Sequence, residues 1–393
     1  MIHVDADSFL VIVLAAAVAA LIVGIGGGRV VIPVVVLELC LGIVVGPDVL
    51  GLADSDPFID FFSSLGLGML FFFAGYEIDF ERIKGGPLEL AVVGWLISLG
   101  LAYAIGSMLA AAGIVLSLLF TGSALATTAI GTLIPILSDA GEMKTRFGTY
   151  LLAAGAVGEF GPILLITLFF STGNPLSSGL LLVAFVVIAV LAAVFAIRGV
   201  TSNWTALERT LETSSQLPVR MAVVLIFVLA ALATDLGLDL LLGGFVAGII
   251  TRLSLGGHEV RVLESKLKAV GYGFLIPFFF VVSGIEFKFD ELTSDPKELL
   301  KVPVFLIAFL IVRGIPAMVL YVKEMEIRDR VALAFFSATE LPLVVAITTI
   351  AIDNGKMHGT TAASLVGAAV LSTAIYPLIG LRLRGSREVP EGI

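Results

Sequence analysis

The sequence predicts an all-α polytopic membrane protein of about 13 transmembrane helices, arranged as two inverted-topology repeats with discontinuous helices at their centre. Composition is the first reason. Of 393 residues, 59% are hydrophobic and only 14% charged, and the mean hydropathy of +1.11 lies far outside the range of soluble domains. The second is the form of the apolar runs, which are long and lack period-two alternation. They therefore read as helices and not as strands of an outer-membrane barrel. The third is a set of echoes between the two halves of the chain, always seven spans apart.

The spans fall at about 9–26, 30–46, 59–76, 87–110, 115–137, 147–171, 178–197, 219–235, 238–253, 271–287, 302–321, 329–352 and 360–381. Acidic residues precede the first run, so it reads as a retained span and not a cleaved signal. Net charge is −9, yet the basic residues are unevenly spread. With the N-terminus outside, 18 of the 23 Lys and Arg residues lie on the cytoplasmic side, four lie outside and Arg313 lies within the membrane. This bias predicts an N-terminus outside and a cytoplasmic C-terminus; the expected location is the plasma membrane. Cys40 is the single cysteine, and neither a Cys pair nor a His cluster offers a metal centre. No cofactor and no nucleic-acid partner are expected.

The turn Gly24 to Arg29 resembles a phosphate loop only superficially, because no strand precedes it and no Lys-Ser/Thr follows. Span two carries Glu38, a deep acid that reads as an interhelical hydrogen-bonding group, beside Gly42 and Gly46, whose spacing suits close helix packing. Span three ends in FFFAGYEIDF and span ten in FFFVVSGIEF; GIVVG of span two matches GFVAG of span nine; Phe120 to Gly141 matches Phe335 to Gly355. Seven is odd, so each copy crosses the membrane in the opposite sense. Residues 1–197 then form the first inverted repeat, spans one to six, together with a linking span seven. Residues 198–218 form a cytoplasmic linker, either a surface helix or a plain loop. Residues 219–393 form the second repeat, spans eight to thirteen. Inverted repeats build secondary transporters that alternate access around a midplane site.

Spans five and twelve each place hydroxyl residues beside Gly or Pro at mid-depth: Thr127 and Thr128 with Gly131 and Pro135, and Thr339 and Glu340 with Pro342. That pattern predicts discontinuous helices whose freed carbonyls line a cavity; a Pro-kinked helix is the alternative. Span six places Glu159 about twelve residues from either end, roughly 18 Å along a helix. A carboxylate at that depth costs about 3 kcal/mol on insertion scales, which marks a functional group, and Arg313 and Glu340 lie equally deep.

The run R-x-x-x-P-x-x-x-x-E-x-x-x-G-x-x-x-G-P-x-x-L-G from Arg29 to Gly51, with FFFAGYEID, the Thr-rich span five, GGFVAG and FFFVVSGIEF, resembles monovalent cation:proton antiporters of the Kef-like sodium/hydrogen exchanger branch. The resemblance covers essentially the whole chain. It implies a homodimer, each protomer with a panel domain and a core domain in which two broken helices cross near the midplane. It further implies Glu159 as the ion-binding carboxylate, Thr127 and Thr128 at the unwound crossing, Arg313 as the cationic partner before the second broken helix, and Glu340 as an acid of that helix. Many members carry an adjacent Asp-Asp or Asn-Asp pair where this chain has Gly158-Glu159, so one carboxylate remains.

On this reading Glu159, the two Thr hydroxyls and freed carbonyls bind an alkali cation, Na+ or K+, as substrate, and protonation of Glu159 releases it. The expected activity is antiport of that cation against H+ with no enzymatic step. One titrating carboxylate gives one proton per cation, hence electroneutral exchange. Such competition needs a carboxyl that protonates near neutral pH, which an ordinary exposed Glu does not. Arg313 and Glu340 either pair with the site or offset half-helix charges of about half a unit. A cation channel or uniporter would want a continuous polar pore, and an organic-anion symporter more polar lining than these spans hold.

Overall fold

The computed structural model describes residues 5–26, 33–78, 80–170, 180–189, 191, 210, 213–236, 240–254, 259–294 and 296–385. The turn at Gly24 to Arg29 falls partly, and the linker 198–218 mostly, outside the described residues. Every described regular element is helical. In chain order the helices are α1 (Ala6–Gly26), α2 (Val34–Val45), α3 (Pro57–Tyr76), α4 (Phe80–Ile83), α5 (Gly86–Ala111), α6 (Leu118–Leu125), α7 (Ile130–Asp139) and α8 (Arg146–Phe170). There follow α9 (Leu180–Ala189), α10 (Leu217–Asp235), α11 (Leu240–Ser254), α12 (Glu259–Val270), α13 (Ile276–Ile285), α14 (Phe289–Ser294), α15 (Pro296–Leu320), α16 (Ile327–Ser337), α17 (Pro342–Asp353) and α18 (Gly359–Arg384). Among the described residues nine helices are long and apolar enough to cross a membrane, and four shorter apolar helices accompany them.

Span five is α6 and α7, interrupted at residues 126–129, and span twelve is α16 and α17, interrupted at residues 338–341. Both are therefore broken helices. Each interrupted helix ends in a turn through a glycine, Gly141 at φ 70° and Gly355 at φ 63°, a left-handed conformation that a side chain disfavours. Two spans extend further than hydropathy suggests. α15 begins at Pro296, where Lys301 and Glu298 form a 2.7 Å ion pair one turn apart on the helix. Span ten begins with α12 and runs through a π-turn, Gly271–Leu275, into α13. α12 mixes charged and apolar residues at helical spacing, so a hydropathy window registers only its apolar continuation.

The chain divides into two units. One comprises Met1–Ala16, Leu52–Ile78 and Ile163–Ser283. Within it α3 packs against α11 with the backbones nearly touching. A Cβ at Gly75 would lie 2.0 Å from the Phe245 carbonyl oxygen, and one at Gly248 would lie 1.9 Å from that of Phe72. Small residues that let helices approach this closely replace the hydrophobic drive that lipid removes. The α3 N-terminus is capped by Asp56, whose carboxylate accepts from the amides of Phe58 and Ile59 at 2.8 Å each. Asp5, ahead of α1, accepts from the Ser8 amide and hydroxyl, which hold its carboxyl below the usual carboxylate range.

The other unit comprises Ala17–Gly51, Asp79–Pro162 and Gly284–Ile393. It contains both interrupted helices, α5, α15, α18 and the part of α8 that carries Glu159. Its packing is dominated by α15, α16 and α18 on one another and by α5 on α6 and α15. Glu38 of α2 is buried in this unit.

Since Gly248 leaves no room for a methyl against a main-chain oxygen, Gly248→Ala should lower stability by about 2 kcal/mol or more. A reduced melting temperature of the detergent-purified protein by size-exclusion chromatography is the expected result. An unchanged one would show that α3 and α11 can separate freely.

Candidate functional site

Glu159, Thr127, Thr128, Arg313 and Glu340 all lie in the second unit, in or around the two interruptions. The polar side chains there are buried: Thr127, Thr128, Thr339 and Glu340 are at most 1% exposed, Glu159 3% and Arg313 4%. Interrupting a helix frees amides and carbonyls that hydrocarbon cannot satisfy, so their partners define the geometry. The two gaps satisfy each other in part. The Ala129 amide donates to the Thr339 carbonyl at 2.8 Å, and the Thr128 hydroxyl donates to the Ser337 carbonyl at 2.6 Å.

The remaining groups are met from flanking helices. Trp95 of α5 donates its indole N–H to the Ala126 carbonyl at 3.1 Å. On α18, the Ser372 hydroxyl contacts both the Glu340 amide at 3.0 Å and its carbonyl at 3.1 Å, and the Thr373 hydroxyl donates to that carbonyl at 3.0 Å. The Thr127 hydroxyl bonds to the Glu340 carboxyl across the gaps and lies 3.1 Å from the Ala124 carbonyl.

Arg313, on α15, connects the whole arrangement. Its Nε donates to the Thr128 hydroxyl oxygen at 2.9 Å, Nη1 to Ser98 of α5 at 3.2 Å, and Nη2 to the Ala154 carbonyl of α8 at 3.1 Å. Ser98 in turn donates to the Val312 carbonyl at 2.9 Å, which fixes it as an acceptor for the guanidinium. Nε also approaches the Ser337 carbonyl at 3.4 Å, at the C-terminal, partially negative end of α16. Glu340 sits just before Pro342, at the partially positive N-terminus of α17.

The α8 backbone is pressed against this cluster next to Glu159. A Cβ at Gly158 would lie 2.5 Å from Arg313 Nη2 and 2.8 Å from the Thr128 hydroxyl. Gly158 thus lets the guanidinium reach Ala154, in space that a side chain would occupy. One turn earlier, Gly155 faces Ile130 at the start of α7, and one turn later Gly161 faces the Trp95 ring. These contacts place Glu159 in the mid-helix segment of α8 that abuts the first interruption.

Thr127, Thr128, Arg313 and Glu340 are thereby brought into one bonded cluster, with Glu159 on the neighbouring helix. Sequence reading missed Trp95, Ser98, Ser372 and Thr373. Each is a polar group midway along an apolar helix, a signal present in the sequence but weaker than a charge. Among the described residues no group of three or more His, Cys, Asp or Glu side chains is placed to hold a metal ion.

The sequence profile of the family described as "Sodium/hydrogen exchanger, transmembrane" matches residues 13–380. The Bacillus subtilis protein named "Putative Na(+)/H(+) antiporter YjbQ" is 29% identical over 384 residues, which is 92% of this chain and 60% of that protein. The Bacillus cereus protein named "Na(+)/H(+)-K(+) antiporter GerN" is 27% identical over 275 residues, 67% of each chain. This chain thus spans less than two thirds of the first relative's length. In fold it is similar to the sodium proton antiporter MjNhaP1 from Methanocaldococcus jannaschii, with a TM-score of 0.61, 18% identity, and coverage of 96% of this chain and 95% of that one.

Thr128→Val keeps the shape of the side chain but removes the hydroxyl that accepts from Arg313. A buried guanidinium N–H left unpaired costs about 1–3 kcal/mol. The expected outcome is a lower thermal-unfolding midpoint than wild type, larger than that caused by Thr→Val at exposed positions of the same protein.

Proposed function

This chain belongs to the sodium/hydrogen exchanger transmembrane family, and on that premise we propose that it exchanges a monovalent cation, Na+ or K+, for H+ by alternating access. The observation that carries the proposal is the buried carboxylate of Glu159 on α8, beside an unwound, hydroxyl-bearing stretch of the first broken helix. Oxygen ligands suit an alkali cation, and the only such groups that change charge are carboxylates.

In the proposed cycle an ionised Glu159, the hydroxyls of Thr127 and Thr128 and main-chain carbonyls of the interruption hold the cation. Protonation of Glu159 removes the charge that retains it, so cation and proton exclude each other. One carboxylate titrating between the two states gives one proton per cation and electroneutral exchange. Gly158 supports this count, because the place beside Glu159 contributes no side chain.

Arg313 and Glu340 are assigned to holding the crossing, each at the half-helix end of opposite partial charge. Arg313 approaches the terminal carbonyl of α16 and Glu340 precedes the first residue of α17. Both roles place them outside the exchanged charge. The further assignments are two inverted repeats, residues 1–197 with its linking span and residues 219–393, joined by 198–218; a homodimer in the plasma membrane; and an N-terminus outside with a cytoplasmic C-terminus. The names of the relatives, which include both Na+ and K+ antiporters, support the cation class.

The test is cation-induced dequenching of a pH dye in proteoliposomes, with Na+, K+ and Li+ added in turn. Wild-type protein should dissipate an imposed pH gradient on addition of at least one of them, and Glu159→Gln should abolish that response. Exchange that survives the Gln substitution would remove Glu159 from the mechanism.

A further inference from the structure

Far from the crossing, at the other end of two of the half-helices, a buried ion cluster joins three elements. Arg384, the last residue of α18, donates from Nε and Nη2 to the two carboxylate oxygens of Glu142 at 2.8 Å each. Its Nη1 lies 2.7 Å from Asp329. The three side chains are 5%, 8% and 14% exposed. The guanidinium also stacks 4.4 Å over the Phe147 ring, and Thr145 donates its hydroxyl to Glu142 at 2.8 Å. Charges this enclosed are little screened by salt, and the two-pronged contact with Glu142 fixes direction as well as distance.

The partners occupy informative places. Glu142 lies in the short turn Glu142–Lys144 that follows α7, and Asp329 lies in the first turn of α16. Phe147 is the second residue of α8, the helix that carries Glu159. α7 has 10 residues and α16 has 11, so each is about 15 Å long, half the hydrocarbon thickness. Their inner ends are held together by the bonds of Thr128 and Ala129 to Ser337 and Thr339. Their outer ends are held by Arg384. The two half-helices, pinned at both ends, form a closed frame around the crossing.

We propose that Arg384 is a positioning residue for exchange: by tying Glu142 and Asp329 it fixes the outer ends of α7 and α16, and so the spacing of the oxygen groups at their inner ends. Neither half-helix continues as helix through the membrane, so no unbroken helix fixes its tilt from the far side. An error in tilt at the outer end appears at the inner end as a displaced carbonyl or hydroxyl. The cation, whose ligands must converge, senses that displacement more than the proton does. The effect is therefore on apparent cation affinity. This inference rests on the exchange reading above for its transport readout only.

Two measurements test it on the full-length protein. In proteoliposomes, Arg384→Ala should raise the cation concentration for half-maximal exchange by roughly fivefold or more, with Arg384→Lys, which keeps the charge but loses the fork, falling between it and wild type. The Arg384→Ala/Glu142→Ala double variant should be no worse than the poorer single one, since both break the same contact. In hydrogen–deuterium exchange, the backbone of 130–139 and 327–337 should lose protection in both Arg384 variants. Wild-type half-maximal concentration and unchanged protection in Arg384→Lys and Arg384→Ala would overturn the proposal, as would multiplicative losses in the double variant. If Arg384→Ala yields no folded protein, the Lys variant alone decides between these outcomes. A wild-type protein that exchanges nothing sinks the functional reading, whereas protection changes still decide on the clamp.

Discussion

A helix broken in the middle of a bilayer leaves main-chain groups that no solvent can satisfy, and among the described residues spans five and twelve are both broken in this way. The structure depends on how those groups are answered. Two interruptions set side by side cancel part of the demand by bonding to each other, through Ala129 with Thr339 and Thr128 with Ser337. The rest is met by Trp95 from α5 and by Ser372 and Thr373 from α18. Because these bonds come from several helices, the unit cannot rearrange one element without leaving a buried group unpaired.

Arg313 is the member of this network with most to lose. A guanidinium presents five donors and cannot be neutralised in a protein, so its burial demands acceptors on several sides. α5, α8 and the first interruption each supply one. Gly158 belongs to the same solution, because any side chain there would meet the guanidinium. The residue pair Gly158-Glu159 therefore couples two properties: a place for Arg313 against α8, and a buried acid on α8 next to that contact.

Arg384 repeats the principle at the end of the same unit with carboxylates in place of carbonyls and hydroxyls. Between them the two arginines bound α7 and α16 at both ends. In the other unit α3 and α11 meet through bare glycine contacts, and the Arg252 guanidinium of α11 lies 5.6 Å over the Tyr76 ring at the end of α3.

The helical class, the order of the spans and both broken helices were legible in the sequence. Apolar length, and hydroxyls beside Gly or Pro at mid-depth, reflect local demands of the bilayer that act on each span separately. Glu159, Arg313 and Glu340 stood out for the same reason: a charge in hydrocarbon is costly wherever it sits. What only the tertiary structure decided was who answers whom. That Thr128 rather than a carboxylate receives Arg313 Nε, that Trp95 covers the Ala126 carbonyl, and that Arg384 joins Glu142 to Asp329 depend on side chains 31 to 242 residues apart meeting in space. No periodicity or composition encodes such pairings, because a residue's own place in the sequence does not say which distant side chain it will meet.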